Sequence, residues 1–314
     1  MKLHFSLKLQ VKYFNKVLYI LYKFLIVPII SDTGTPYPGK EEEYWRCDPQ
    51  NLIKPVSLAM GQQHLFVTSP STNQVQVFHN GQHQGVLKIN DSKFFNSVRS
   101  VHTYKATSNA VHQVVVLDDE GFHFYDENGL YHDTILSGQG HKYRGSGHLQ
   151  YQGKLCLVSL DVKNPQLGVS LVVIDVEKCS TIKTFKISAT NGLKDEQTKC
   201  RFLAVSLDEK KVYVTSLTLN KIFSIDLFSE EVKTFSHKLK EPAGIAIDPK
   251  NGTIFVSCRA SKTVESFNSD MCYLGQFLLY QVKVPIGLCV HDENIYVSTH
   301  ESSAIMKVPI NYGM

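Results

Sequence analysis

The sequence lacks both the cysteine spacing of a zinc module and the paired cysteines of a disulfide scaffold. Its seven cysteines are odd in number, scattered along the chain, and nowhere form a C-x-x-C pair. Structural zinc sites and disulfide frameworks both need cysteines at short or matched spacings. We therefore interpret these cysteines as buried or inert thiols of a protein in a reducing compartment.

The chain also lacks a strong excess of charge of either sign. Its 33 Lys and Arg face 29 Asp and Glu, a formal net charge of +4, and 43% of its residues are hydrophobic. This composition is typical of a globular domain, and a charge so close to balance indicates no partner by itself. A length of 314 residues is compatible with one large all-β domain.

A long uninterrupted apolar run is missing as well. The most apolar stretch, Val17–Ile30, is broken by Lys23 and falls short of the ~20 residues of a spanning helix. Residues 1–31 are basic and contain no acidic residue, as at the start of a signal peptide or anchor, but no small-x-small cleavage site follows. Two interpretations stay open: a targeting segment, or a misassigned start of the coding sequence. Residues 32–43 predict a linker, and 44–314 a single folded domain.

A strand-like pattern recurs about every forty residues, with two longer intervals. The recurring β-branched and aromatic runs are centred on Phe66, Val115, Leu157, Tyr213, Phe255 and Tyr296. An alternating apolar run precedes each centre and a third run follows it, while a fourth run completes five of the copies. Four antiparallel strands per ~40–45 residues are typical of a propeller blade. The sequence therefore predicts an all-β, six-bladed β-propeller of four-stranded antiparallel blades.

The sixth copy stops after its third strand, so the ring needs a strand from elsewhere. An unpaired edge would invite aggregation, which makes closure by another segment of the chain necessary. The stretch EYWRCDPQNL, which ends at Leu52 and precedes blade one, is the expected donor. Trp45, the only tryptophan, would be a packing residue in this closing strand.

The two best copies resemble the NHL repeat. That family's pattern is a proline, one residue, a glycine, an alternating apolar strand, a Gly or Asn turn, and an aromatic-Val strand. The matching residues are Pro242, Gly244, Asn251, Gly252, Phe255 and Val256 in blade five, and Pro285, Gly287, Asn294, Tyr296 and Val297 in blade six. The resemblance is clear in blades one, four, five and six and thin in blades two and three. It implies the propeller that commonly ends tripartite-motif proteins, but the sequence shows no RING, B-box or coiled-coil pattern, so we expect no ubiquitin transfer by this chain alone.

One departure from the family pattern concerns the contact between blades. The family usually has Asp two residues after the strand-two valine, whereas this chain retains only Asp118. The other matching positions hold Ser69, Ser216, Cys258 and Thr299. The polar link between blades that the resemblance implies for this Asp therefore has no matching residue at these four positions.

No catalytic set emerges from the sequence. It has no Gly-rich phosphate loop and no G-x-S-x-G elbow. A channel metal, as in some NHL-like lyases, needs about three inward histidines at matching positions. His102, His148 and His291 lie in or next to first strands, but we place them at non-equivalent positions. The acidic residues near inner strand ends, which do not assemble a calcium set, are Asp118, Asp119, Asp161 and Glu301. We expect no cofactor, no metal and no enzyme activity.

The strand assignment divides the loops into two faces. Inter-blade connections and the loops between strands two and three form one face, where basic residues outnumber acidic ones; we call it the basic face. The remaining loops form the acidic face, whose Asp residues suit tight turns. Turn chemistry does not explain arginines from four blades, which suit phosphate or carboxylate recognition. The candidate partner-binding residues are Arg99, Tyr143, Arg144, Arg201, Lys221, Arg259 and Lys262.

These patterns favour a non-catalytic binding scaffold whose basic face takes a protein partner, with an acidic segment as the expected ligand. One alternative is single-stranded RNA binding on the same face, where Tyr143 beside Arg144 is the only close aromatic–basic pair. A second is a secreted metal-dependent propeller lyase or lactonase, which requires residues 1–31 to be a true signal. We expect a monomeric, cytoplasmic propeller that does not bind DNA. Membrane anchoring or secretion follows only if the N-terminal segment is a real signal.

Overall fold

The computed structural model describes residues 43–45, 54–89, 93, 95–105, 113–136, 141–163, 168–187, 195–279 and 283–310. The predictions for residues 1–31, and for nearly all of the linker 32–43, lie outside these ranges. Within the described part of the chain, no helix has both the length and the apolar character that crossing a membrane requires.

The protein is an all-β propeller of six four-stranded antiparallel blades, as predicted. Blade one consists of β2 Leu58–Met60, β3 His64–Ser69, β4 Gln74–His79 and β5 Gln82–Val86. Blade two consists of β6 Ser100–Tyr104, β7 Gln113–Leu117, β8 Gly121–Asp126 and β9 Tyr131–Leu136. Blade three consists of β10 Tyr143–Tyr151, β11 Lys154–Asp161, β12 Ser170–Asp175 and β13 Ser180–Lys186.

The second half of the ring repeats this arrangement. Blade four consists of β14 Cys200–Val205, β15 Lys211–Ser216, β16 Lys221–Asp226 and β17 Val232–Phe235. Blade five consists of β18 Pro242–Ile247, β19 Ile254–Cys258, β20 Thr263–Phe267 and β21 Tyr273–Leu278. Blade six contains β22 Pro285–His291, β23 Asn294–Thr299 and β24 Ala304–Pro309. A short helix, α1 Asp195–Thr198, precedes blade four.

The ring is closed by the strand that precedes blade one. This strand, β1 Glu43–Trp45, pairs antiparallel with β24 and places Trp45 opposite Ile305. Blade six is thereby completed by a segment from the other end of the domain, which confirms the predicted donor. The packing role expected for the Trp45 side chain lies outside the described residues.

The hydrophobic core is divided among the interfaces between neighbouring blades. One buried cluster joins Val158 of blade three to Val212 and Phe223 of blade four, and a corresponding cluster joins Leu65 of blade one to Ile305 of blade six. The six repeat centres all lie in second strands and are 0–5% exposed. Each such apolar side chain contributes about 1.5–3 kcal/mol when fully buried. A blade can bury both faces only between two neighbours, so the ring forms as a unit.

The glycine of the Pro-x-Gly pattern has a packing role. A β-carbon on Gly244 would lie 2.3 Å from the carbonyl oxygen of Ile286 in the next blade, and one on Gly287 would lie 2.0 Å from that of Val56. Real atoms do not approach so closely, so the innermost strands of adjacent blades can meet only where no side chain intervenes. The sequence motif thus reflects the close approach of inner strands.

Polar links between blades do exist, but they come from a different position than the family's Asp. The Ser257 hydroxyl accepts from Gly244 N at 2.8 Å and donates to Ile286 O of the next blade at 2.5 Å. Ser298 makes the corresponding bond to Val56 O at 3.0 Å. These hydroxyls lie one residue before the positions where the family carries Asp. In blades five and six, a serine therefore makes the polar link between blades that the resemblance implies for Asp.

Candidate anion-binding site at the channel mouth

The four arginines predicted on the basic face come together at one cavity. It has a volume of about 330 Å³ and lies where the six inner strands begin, which we call the channel mouth. Arg99, Arg144 and Arg201 reach it from the beginning of the inner strands of blades two, three and four, and Arg259 reaches it from the loop after β19. None of the described lining residues is acidic.

The channel mouth has a cationic half and an apolar half. Lys199 adds a further positive charge beside Arg201. Blades one, five and six contribute Val56, Ala243 and Ile286 at the beginning of their inner strands. Apolar walls lower the local dielectric constant, so electrostatic interactions of the arginines with a ligand are stronger here than on a flat polar surface.

One carboxylate near the cavity is shared between two arginines. Asp119 accepts two hydrogen bonds from Arg99, from Nε at 2.9 Å and from Nη2 at 2.8 Å. It also lies 3.7 Å from Nη1 of Arg144, a residue only 5% exposed. Nη1 of Arg144 donates to the carbonyl oxygen of Tyr143 at 2.8 Å. These contacts orient two guanidinium groups while leaving the site positive.

Arg259 and His300 lie on the other side of the mouth. Nε of Arg259 is buried and has no hydrogen-bond partner within the described part of the chain. Burial lowers the pKa of His300 below its ordinary value, and the positive charges of Lys54 and Arg259 lower it further. The imidazole is therefore neutral at neutral pH.

A glycine with unusual backbone geometry brings two of the arginines together. Gly145 has a φ of 58° and lies in a β-bulge between Arg144 and Ser146. A β-carbon at this position would lie 2.8 Å from the carbonyl oxygen of Arg201. Bulges redirect side chains, and glycine adopts positive φ without steric cost. The bulge therefore permits the close approach of blades three and four at the mouth.

The other predicted partner-binding residues do not join the cavity. Tyr143 is 6% exposed, with its ring 5.4 Å from that of Phe122 and stacked on His141 at 5.5 Å. It therefore faces the core and cannot serve as a surface platform for a base. Lys221 and Lys262 are absent from the described lining. Sequence reasoning in turn missed Lys199, His300 and the apolar half as parts of one site.

Two histidines lie in the channel behind the mouth, at equivalent positions. His102 is opposite Val115 and His148 is opposite Leu157, both repeat centres, so the expectation of non-equivalent positions was wrong for this pair. It holds for His291, since the residue opposite the repeat centre Tyr296 is Cys289. Their rings stack with centroids 5.9 Å apart, and Nδ1 of His102 is 2.8 Å from the Ser146 hydroxyl. Burial lowers the pKa of His148 to about 4 and that of His102 well below its ordinary value. Both are neutral at neutral pH.

These histidines line a second cavity of about 280 Å³, which shares Gly145 and Phe202 with the mouth. Among the described residues, no group of three or more His, Cys, Asp or Glu side chains is arranged to hold a metal ion. The described channel therefore offers a neutral, hydrogen-bonding interior behind a positively charged entrance.

The acidity of the opposite face follows from turn chemistry. Oδ1 of Asp175 accepts from the amides of Glu177 and Lys178, each at 3.0 Å. Asp226 accepts in the same way from the amides of Phe228 and Ser229 in its own turn. These backbone hydrogen bonds hold the pKa of both carboxyls below the ordinary value. The acidic face therefore needs no ligand to explain it.

Comparison with known proteins identifies the fold and no more. No protein-family model matches the chain, and no curated protein matches its sequence. An inactive variant of virginiamycin B lyase from Staphylococcus aureus is similar in structure, with a TM-score of 0.60 and 12% identity over 86% of this chain and 100% of the other. Regucalcin, a calcium-binding protein from Agrobacterium tumefaciens, gives a TM-score of 0.62 with 10% identity over 89% of this chain and 98% of the other. Hydrazine synthase from Kuenenia stuttgartiensis gives a TM-score of 0.59 with 13% identity over 82% of this chain and 84% of the other.

Proposed function

We propose that this chain is an NHL-type propeller acting as a non-catalytic scaffold, which takes an acidic segment of a protein partner at the channel mouth. The observation that carries this proposal is the convergence of Arg99, Arg144, Arg201 and Arg259 on one cavity with no acidic residue in its described lining. Gathering like charges costs folding free energy through repulsion and desolvation. A ligand that supplies negative charge offsets this cost, and arginine is well suited to bind carboxylates in a bidentate manner.

The NHL assignment is supported by the role of the motif residues. Gly244 and Gly287 are the glycines of the Pro-x-Gly pattern, and the packing of inner strands leaves no room for a β-carbon at either. A repeat defined by this glycine therefore matches the geometry of blades five and six.

The test uses matched charge-removing variants. Arg201→Gln with Arg259→Gln removes two charges at the mouth, whereas Lys221→Gln with Lys262→Gln removes two from the same face outside the described lining. A fluorescent Asp/Glu-rich peptide is titrated with each protein, and binding is followed by anisotropy. We expect the arginine variant to bind at least about a hundredfold more weakly, as the loss of two charged hydrogen bonds predicts, and the lysine variant to bind like the parent chain.

Equal effects of the two variants, or no peptide binding at low salt, would contradict the proposal. Single-stranded oligouridylate serves as the competing ligand. If RNA binds instead, its affinity falls with salt with a slope of about −0.7 per phosphate contacted, and the RNA alternative replaces this one.

A metal-dependent lyase or lactonase is the competing function. The observation that favours it is the stacked pair His102 and His148 in the channel. Elemental analysis of the purified protein tests it directly. One equivalent of zinc per chain that is lost on His148→Ala, or one equivalent of calcium, would favour the enzyme over the scaffold.

A further inference from the structure

We propose that the group bound at the channel mouth is a phosphomonoester dianion carried on a short apolar stem. This inference rests on the proposed function, because it assumes that the mouth is the ligand site, and it specifies the anion that the site selects. A phosphorylated side chain and a small free phosphomonoester share this chemistry.

The charge of the site favours a dianion over a single carboxylate. Five basic side chains line the cavity, namely Arg99, Arg144, Lys199, Arg201 and Arg259. Asp119, the neighbouring carboxylate described above, is already engaged by two of them. A phosphomonoester carries about −1.5 to −2 charges at pH 7, whereas a carboxylate carries one. The dianion therefore compensates more of the positive charge.

The arrangement of donors also favours a phosphoryl group. The four arginines approach from four different blades around the channel axis. A phosphoryl group has three terminal oxygens pointing in different directions, whereas the two oxygens of a carboxylate lie in one plane. Nε of Arg259 is buried without a hydrogen-bond partner among the described residues. A buried donor without an acceptor costs folding free energy.

The size and the apolar half of the cavity indicate a stem. Its volume of about 330 Å³ lies at the lower end of the ~300–1,000 Å³ typical of ligand pockets, and exceeds what one phosphate ion fills. Val56, Ala243 and Ile286 form the apolar half of the lining, beside the arginines. A phenyl ring or a short alkyl chain between the phosphate and the rest of the ligand would pack against this wall.

The experiment is isothermal titration calorimetry of the full chain with phenyl phosphate, inorganic phosphate, benzoate, oligouridylate, and a phosphotyrosine peptide together with its unphosphorylated form. We expect phenyl phosphate to bind more tightly than inorganic phosphate, benzoate and oligouridylate. Its affinity should rise between pH 5 and 7, because the second phosphate ionisation has a pKa of about 6. His300 cannot produce this rise, since protonating it at low pH would strengthen anion binding. Benzoate should show no such rise.

Variants locate the binding. Arg259→Gln should weaken phenyl phosphate about tenfold, and Lys262→Gln should leave its affinity unchanged. Because a substitution at the mouth can impair folding, Arg201→Gln is measured in parallel, and the melting temperature of each variant is compared with that of the parent. A weakened affinity with an unchanged melting temperature in either arginine variant supports the site.

The outcomes separate this inference from the proposed function. If a phosphotyrosine peptide binds more tightly than phenyl phosphate, and more tightly than the same peptide without phosphate, the phosphate belongs to a protein. If phenyl phosphate binds more tightly than the phosphotyrosine peptide, the ligand is a small free molecule. Equal binding of benzoate and phenyl phosphate without the pH rise overturns the phosphate inference but leaves an acidic segment as the ligand. Tighter binding of oligouridylate overturns it in favour of RNA. Failure of every probe and of the acidic peptide overturns both proposals.

Discussion

At the scale of single residues, Asp118 shows how one buried carboxylate organises a loop. Its side chain accepts hydrogen bonds from the amides of Asn96 at 2.8 Å, Glu120 at 2.7 Å and Gly121 at 3.0 Å. Nε2 of His123 lies 2.9 Å away. Asp118 therefore fastens the connection into blade two.

Replacing Asp118 by Asn tests this role through its pH dependence. Burial alone would raise the pKa of Asp118, but His123 and the amides of Asn96 and Glu120 outweigh it and hold the pKa below its ordinary value. The stability from this carboxylate is thus present above the unfolded pKa of about 3.9 and is lost as pH falls through the lower folded pKa. We expect Asp118→Asn to lower the free energy of unfolding by about 1–3 kcal/mol at pH 7.

Urea unfolding at several pH values measures this effect. The difference between parent and variant should shrink as pH falls below about 4. Asp270→Asn, at an exposed turn position, is the control and should change stability little. A difference that does not vary with pH would show that the ionised form of Asp118 is unimportant.

At the scale of elements, the contacts between inner strands depend on hydroxyl bridges. Ser257, Ser298 and Thr215 each bond to a backbone carbonyl of the following blade. All three lie in second strands, directly after the aromatic-Val pair, where a short polar side chain reaches across the interface. These bridges and the close packing at Gly244 and Gly287 join blades four, five, six and one.

We expect Ser257→Ala to destabilise the propeller by about 1–3 kcal/mol, because the variant leaves the buried Gly244 amide and Ile286 carbonyl without this partner. Ser229→Ala, which removes an exposed hydroxyl in a turn of blade four, is the control and should cost less than about 0.5 kcal/mol. Thermal and urea unfolding of both variants give the comparison. Equal stability of the two would mean that the bridge contributes nothing net.

At the scale of the whole molecule, stability depends on ring closure. The strand β1 covers the edge of β24, which would otherwise present unpaired backbone groups. An N-terminal deletion of residues 1–42 keeps β1, whereas a deletion of residues 1–45 removes it.

We expect the protein without β1 to melt at a lower temperature, by about 2–4 °C for each kcal/mol of unfolding free energy lost. We also expect it to associate through the exposed edge of β24. Calorimetry and size-exclusion chromatography with light scattering measure both effects. Identical melting temperatures and a monomeric state for the two truncations would contradict the role of β1 in closure.

The sequence by itself determined the strands, the number of blades, the closing segment and the division of loops into two faces. These features follow from local patterns, because alternation of apolar residues and turn chemistry act over a few neighbouring positions. Repetition of the pattern then implies a ring, since an isolated blade cannot bury its two faces.

Only the tertiary structure decided what the faces contain. The meeting of Arg144 and Arg201 depends on the bulge at Gly145, and the equivalence of His102 and His148 depends on strand register. The burial of Tyr143 depends on its neighbours in the adjacent blade. Register, bulges and spacing between blades arise from contacts far apart in the chain, so no local pattern reveals them. The arginines were visible in the sequence, but their convergence on one cavity follows from the closed ring.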